Sequence, residues 1–208
     1  MEDRTHREKR KEDITSIAWK LFLEHGYRDT TMSDIADAAD LSRKTLYQYF
    51  KSKEEIALEI EIHVFENFIE LMEEHFPKMK GSGYEKLAQY FEIIDANLDK
   101  YRDAIQFTGL FDFHIKDKYI IEPPVEKFLQ LVAKSSTYLR DIIEAGIQDG
   151  SLKETLNPEL AAETINDSWL YLAQRVFSRP DNINKFKEVI SRQEISYQMM
   201  LFKEALKK

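Results

Sequence analysis

Apolar positions recur along this chain at helical spacing, and the breaks between them mark out nine segments. Ile14, Ile17, Ala18, Leu21 and Phe22 stand at i, i+3, i+4, i+7 and i+8, the stripe of one amphipathic helix, with Gly26 as its stop. A short helix follows, in which Ile35 and Ala36 lie one turn before Ala39. Thr31 is its N-cap, with Asp34 three residues on in place of the usual capping-box Glu. Asp40 and Leu41 end it, and Ser42 caps a second short helix, Arg43–Phe50, whose Leu46 and Phe50 face inward one turn apart. Ser52 and Glu55 form a capping box for a fourth helix carrying Ile56, Ile60, Val64, Phe65, Phe68, Ile69 and Met72 as far as His75. Pro77–Gly83 is a loop. Tyr84–Lys100, Ala104–Tyr119 and Val125–Asp149 read as helices five to seven, with Gly109 expected at a kink or close contact and Pro123-Pro124 as a break. Pro158–Ser178, opened by Asn157 as cap, and Asn182–Leu206 are helices eight and nine. The fold class is all-α: a nine-helix, two-domain chain, with an N-terminal domain over 1–51 and a helical C-terminal domain over 52–208.

The last two helices are apolar around more of their circumference than a surface helix needs. In helix nine Phe186, Val189, Ile190, Tyr197, Met200 and Leu201 form one stripe, and Ile195, Met199, Phe202 and Leu206 another. Helix eight shows Leu160, Ala161, Thr164, Ile165, Ser168, Trp169 and Leu172 on one side. A second stripe predicts a second covered surface, here a partner subunit in an isologous four-helix interface; the alternative is deep burial within one chain. The predicted interface comprises Leu160, Ala161, Thr164, Ile165, Ser168, Phe186, Val189, Ile190, Tyr197, Met200 and Leu201. Which stripe of helix nine meets the partner is open.

With Leu46 and Phe50 inward, Arg43, Lys44, Thr45, Tyr47 and Gln48 are left outward. Two short helices, a tight turn and such a face make a helix-turn-helix. Arg and Lys can donate to guanine and Gln can pair with adenine, while hydroxyls and helix N-terminal amides suit phosphate. The candidate DNA-binding residues are Thr31, Ser42, Arg43, Lys44, Thr45, Tyr47, Gln48, Tyr49 and Lys53; Tyr49 either faces DNA or packs against Tyr27. Ahead of this domain, Arg4, Arg7, Lys9, Arg10 and Lys11 are diluted by Glu8, Glu12 and Asp13. That mixture predicts a solvated first turn and frayed end rather than a phosphate-seeking arm.

Residues Ile14–Ile56 resemble the DNA-binding domain of the TetR family of transcriptional regulators, through AWKLFLEHGYRDTTMSDIADAADLS and RKTLYQYFKSKEEI. One departure is Asp40, where the family usually has Gly at a left-handed backbone position; Asp tolerates that conformation better than most residues. The resemblance implies phosphate contacts at Thr31, Tyr47 and Lys53, base contacts at Arg43, Lys44, Thr45 and Gln48, a homodimer on a palindromic operator, and a ligand-responsive helical body.

The net charge of −8 argues against DNA binding until the chain is divided. Residues 1–56 hold 11 Lys/Arg against 12 Asp/Glu, net −1, and residues 57–208 hold the other −7. Arg43, Lys44, Lys51 and Lys53 then give a local basic surface, with the acidic remainder set away from DNA. The absence of Cys excludes disulfides and points to a reducing cytoplasm. The charged start is unlike a signal peptide, and no stretch has the apolar length of a membrane span. No metal site is expected, since the five His lack ligand spacing. No cofactor is implied, and no nucleophile stands beside a matched base, so an enzyme is not expected. The effector is expected to be a small apolar or aromatic molecule, in a pocket drawn from Phe65, Phe68, Tyr90, Phe91, Asn97, Phe107, Thr108, Phe111, His114, Ser136 and Trp169. The function is that of a DNA-binding regulator, most readily a homodimeric repressor. The alternative is a helical ligand-binding or protein-interaction module without specific DNA binding.

Overall fold

The computed structural model describes residues 2–114, 123–178 and 188–208, with side chains over 6–114, 124–178 and 192–208. Nine α-helices and no strand lie among the described residues: α1 (Glu2–His25), α2 (Met32–Ala38), α3 (Arg43–Tyr49), α4 (Lys53–His75), α5 (Gly83–Asn97), α6 (Arg102–His114), α7 (Pro123–Gln148), α8 (Pro158–Phe177) and α9 (Glu188–Leu206). The helical periods of the sequence match these elements to within a few residues; the expected end of helix six at Tyr119 and the expected start of helix nine at Asn182 lie outside the described residues. At the start, α1 is helical from Glu2, with residues 6–9 exposed as a solvated first turn would be and Arg10 and Lys11 half-buried. Helix α6 passes Gly109 without a break. Of the residues assigned to the partner interface, Phe186 lies outside the described residues, as do the side chains of Val189 and Ile190.

The chain forms two compact units, residues 1–65 with 107–130, and residues 66–106 with 131–208. This division differs from the expected break after residue 51. The first unit includes the end of α6 because Phe107 packs with α1: its ring lies 6.0 Å from Trp19 and 6.1 Å from Phe22 between centroids. Ile14, Ala18, Phe22, Ile35, Leu46, Phe50, Ile56, Ile60 and Phe107 are buried in that unit. The start of α4 is covered on both flanks, since Ala57, Leu58 and Ile62 are buried as well as Ile56 and Ile60.

In the second unit Met72, Leu87, Tyr90, Leu139, Ile143, Ile165, Ala173 and Ile195 share one core. Helix α9 is fastened to α5 through Arg192, whose guanidinium donates to the Asp95 carboxylate at 2.8 Å and to the Asp95 carbonyl at 2.7 Å. Helices α5 and α7 meet at two glycines. A Cβ on Gly83 would stand 2.1 Å from Gly146 Cα, so only the bare backbone fits. Gly83 N–H then donates to Asp149 Oδ2 at 2.7 Å, satisfying one of the free amides at the start of α5.

Gly83→Ala is therefore expected to destabilise the protein by about 1–3 kcal/mol through overpacking, although Ala is ordinarily the better helix former. Urea unfolding followed by circular dichroism checks this; unchanged or raised stability would contradict the close approach.

Candidate nucleic-acid interface

Helices α2 and α3 are each only seven residues long, too short to persist alone. Their ends are fixed instead by local hydrogen bonds. Thr31 and Asp34 form a reciprocal capping box: Asp34 N–H donates to Thr31 Oγ1 at 3.2 Å, and Thr31 N–H donates to Asp34 Oδ2 at 2.7 Å. Those bonds hold the Asp34 carboxyl below the usual range. At the other end of α2, Asp40 takes φ 52°, the left-handed conformation expected of it. Leu41 N–H then reaches the Ala36 carbonyl at 2.9 Å and Asp40 N–H the Asp37 carbonyl at 3.2 Å, a Schellman closure. Ser42 follows as N-cap of α3, accepting from Thr45 N–H at 3.1 Å.

With α3 so started, Leu46 and Phe50 are buried, while Ser42, Arg43, Lys44, Tyr47 and Gln48 are exposed. Four of the five residues expected outward, Arg43, Lys44, Tyr47 and Gln48, thus share an exposed face, while Thr45 is half-buried. Arg43 is partly committed, its Nε donating to Ser33 Oγ on α2 at 2.9 Å. Thr45 shares a 2.8 Å hydrogen bond with Ser42. Tyr49 lies half-buried beneath Arg7, whose guanidinium is 5.5 Å from the ring centroid.

Lys53 is turned inward at the start of α4. Its ammonium donates to the carbonyls of Tyr27 at 2.5 Å and Thr30 at 2.7 Å, and stands 4.3 Å over the Tyr27 ring. Burial pulls its pKa below the usual lysine value, with Glu54 and Asp29 opposing. Lys53 thus closes the turn between α1 and α2, leaving one N–H beyond those two bonds. Tyr27 in turn donates to Glu54 Oε1 at 3.1 Å and is stacked by His114 of α6 at 5.4 Å.

Three braces were missed by sequence reasoning. Arg7 donates to the Gln48 carbonyl at 3.0 Å and Arg10 to the Ala39 carbonyl at 3.2 Å, and Lys11 lies 5.0 Å over the Phe50 ring. The signal was present: Arg7, Lys11, Ile14 and Ala18 run at i, i+4, i+7 and i+11, so the apolar stripe of α1 continues outward as a basic one.

The residues assigned to an effector pocket are divided between the two units. Phe65, Phe107, Thr108, Phe111 and His114 belong to the first unit, and Phe68, Tyr90, Phe91, Asn97, Ser136 and Trp169 to the second. In the first, Phe128 meets both Phe65 and Phe111 at 5.6 Å. In the second, Tyr90 O–H and Trp169 Nε1–H both donate to Asn166 Oδ1, at 3.0 and 3.4 Å, a polar centre not singled out from sequence. Asn97 and Ser136 turn back onto carbonyls of their own helices, so neither side chain is held out for a ligand by these bonds.

A second polar centre went unrecognised. Glu61 of α4 is buried, accepting from Thr108 Oγ1 of α6 at 2.8 Å through Oε1, while Oε2 has no hydrogen-bond partner among the described residues. Burial pushes its pKa up to about 8, the Thr108 bond opposing and Asp112 adding to the rise.

On the outer faces of α8 and α9, Leu160 (62%), Tyr171 (58%), Tyr197 (60%) and Leu201 (50%) are exposed, with Met200 beside them and Thr164 also outward. Ala161 and Ser168 are half-buried. Ile165 is a correction: at 2% exposure it belongs to the core of its own unit and not to the outward face. On α9 the outward stripe is that of Tyr197, Met200 and Leu201, because Ile195 and Met199 are buried. Among the described residues no helix is long and apolar enough to cross a membrane, and no group of three or more His, Asp or Glu is placed to hold a metal.

Residues 14–60 match the family model described as bacterial regulatory proteins, tetR family. The fatty acid metabolism regulator protein of Bacillus subtilis (strain 168) is 30% identical over 158 residues, 73% of this chain and 75% of that protein. The HTH-type transcriptional repressor KstR2 of Rhodococcus jostii (strain RHA1) is 26% identical over 171 residues, 80% of this chain and 79% of that one. The fold is shared with the transcriptional regulator FadR from Bacillus subtilis, solved in complex with stearoyl-CoA, at TM-score 0.64 and 22% identity over 92% of this chain and 96% of that chain.

Glu61 gives stability a pH dependence of definite sign. Its folded pKa lies above its unfolded one, so the neutral acid is favoured by folding; this contribution is complete below about pH 4.5 and is lost as pH rises through about 8. Glu61→Gln, which cannot ionise, is expected to gain on the wild type by up to roughly 1 kcal/mol per pH unit across that window. Paired urea titrations at pH 5, 6.5 and 8 measure it, and a difference that is constant with pH would contradict the burial assigned to this carboxyl.

Proposed function

We infer how this protein acts from one premise: it belongs to the TetR family of bacterial transcriptional regulators. It is a ligand-responsive, DNA-binding regulator. The observation that carries the detail is the outward face of α3, capped by Ser42 and anchored by Leu46 and Phe50. Arg43, Lys44, Thr45 and Gln48 are the residues that read base edges in the major groove. Thr31, Ser42, Tyr47 and the remaining N–H of Lys53 meet phosphates, and Tyr49 supports α3 from beneath Arg7.

Two copies bind together. The exposed apolar stripe of Leu160 and Tyr171 on α8 and of Tyr197, Met200 and Leu201 on α9 is covered by the same stripe of a second chain. This makes an isologous four-helix contact, and a two-fold protein reads a palindrome with half-sites about one turn or slightly more apart. The effector is a small molecule with a large apolar part. Long-chain acyl thioesters are the first class to test, since one similar regulator is named for fatty acid metabolism and another was solved with stearoyl-CoA. Such a ligand lowers operator affinity only if it binds the DNA-incompetent conformation more tightly; couplings of this kind are about 1–3 kcal/mol, or roughly 5- to 150-fold. Repression is the mode this supports.

Selection from random duplexes with the full chain is expected to enrich an inverted repeat, and stearoyl-CoA to weaken binding to it. Enrichment of no sequence would remove the base-reading role of α3. Tyr197→Glu combined with Leu201→Glu is expected to give a folded monomer by light scattering, with operator affinity down roughly 10²-fold or more as two-headed binding is lost. A dimer of unchanged strength would place the interface elsewhere.

A further inference from the structure

The first three turns of α1 lie ahead of the residues that match the family model, which begins at residue 14. They nonetheless reach both short helices. The last carbonyls of a helix lack partners within it and attract cations. Arg7 Nη2 occupies one of these at the end of α3, donating to the Gln48 carbonyl at 3.0 Å while its guanidinium carbon stands over the Tyr49 ring. Arg10 Nη2 takes the Ala39 carbonyl at the end of α2. Lys11 covers Phe50, the residue that anchors the end of α3. Helix α1 is long and continuous, so these three side chains brace the ends of both short helices, Arg7 and Lys11 that of α3 and Arg10 that of α2.

We propose that Arg7 is a positioning residue for operator selectivity: it sets the direction of the last turn of α3 and so decides which base pairs Gln48 can reach. The other end of α3 is fixed separately, by the Ser42 cap and the Arg43–Ser33 hydrogen bond. Loss of the Arg7 brace therefore frees the Gln48 end while leaving the Arg43 end in place. A displacement of about 1 Å is enough to lose aligned hydrogen bonds to a base edge. The inference rests on the reading of α3 as the base-reading helix.

The test is parallel selection from random duplexes with the full-length wild type, Arg7→Ala and Arg7→Lys. It is accompanied by salt titrations on the wild-type duplex and by thermal unfolding. For Arg7→Ala the expected result is a preference relaxed roughly three- to tenfold at the base pairs facing Gln48. Preference facing Arg43 and the salt slope should stay unchanged. Arg7→Lys keeps the charge and a donor but not the planar group over Tyr49, and should fall between. A uniform loss of affinity with the slope reduced by about one would make Arg7 a phosphate contact and overturn the proposal. Lowered thermal stability with the wild-type preference intact would make the brace merely structural and also overturn it. If the wild type itself selects no sequence, the base-reading role of α3 fails and this inference with it; if the wild type selects and Arg7→Ala selects identically, the inference alone fails.

Discussion

The burial of Leu46 and Phe50 is the contact on which the recognition surface depends. Each is almost fully removed from water, a gain of about 1.5–3 kcal/mol for such a side chain. Helix α3 has seven residues and no stability of its own, so these two anchors, the Ser42 cap and the Arg7 brace together decide whether the helix exists. Once both anchors are inward, helical geometry leaves Arg43, Lys44, Tyr47 and Gln48 nowhere to go but outward. Rigidity is the point of the arrangement: base recognition requires donors and acceptors to arrive at fixed angles, which a fraying helix would not supply.

Much of this was legible in the sequence because it is local. The Thr31–Asp34 box, the left-handed Asp40, the Ser42 cap and the Leu46–Phe50 spacing each use residues within a few positions of one another. Other helix limits among the described residues were legible for the same reason, with Asn157 and Pro158 opening α8 as read. What was not legible is non-local. Nothing near Lys53 in sequence says that its ammonium will close over the carbonyls of Tyr27 and Thr30, more than twenty residues earlier. Likewise nothing in the local spacing sets Glu61 apart from the other acids of α4; its bond from Thr108 of α6 comes from 47 residues away. Ile165 was assigned to the partner face because spacing gives the stripe but not the direction it faces.

Both units bury polar groups, and each keeps some without a hydrogen-bond partner among the described residues, Trp19 Nε1 and Glu61 Oε2 in the first and Gln174 Nε2 and Gln198 Oε1 in the second. In the second, Arg192 with Asp95 and the paired donors on Asn166 satisfy one another. In the first, Glu61 keeps one oxygen without a partner among the described residues, in a site that favours its neutral form. A buried acid of this kind is a standing cost to stability at neutral pH, and it sits between α4 and α6. The same unit holds the His114–Tyr27–Glu54 chain beside Lys53, so the end of α6 bears directly on the turn that supports α2.

The central claim, that α3 lies in a major groove in each of two half-sites, is tested most directly by methylation interference on a duplex the protein has selected. Methylation at guanine N7 obstructs only the major groove. The expected result is two symmetric patches of interference, about one helical turn or slightly more apart. Binding that is untouched by N7 methylation, or blocked only by methylation of adenine N3 in the minor groove, would contradict it.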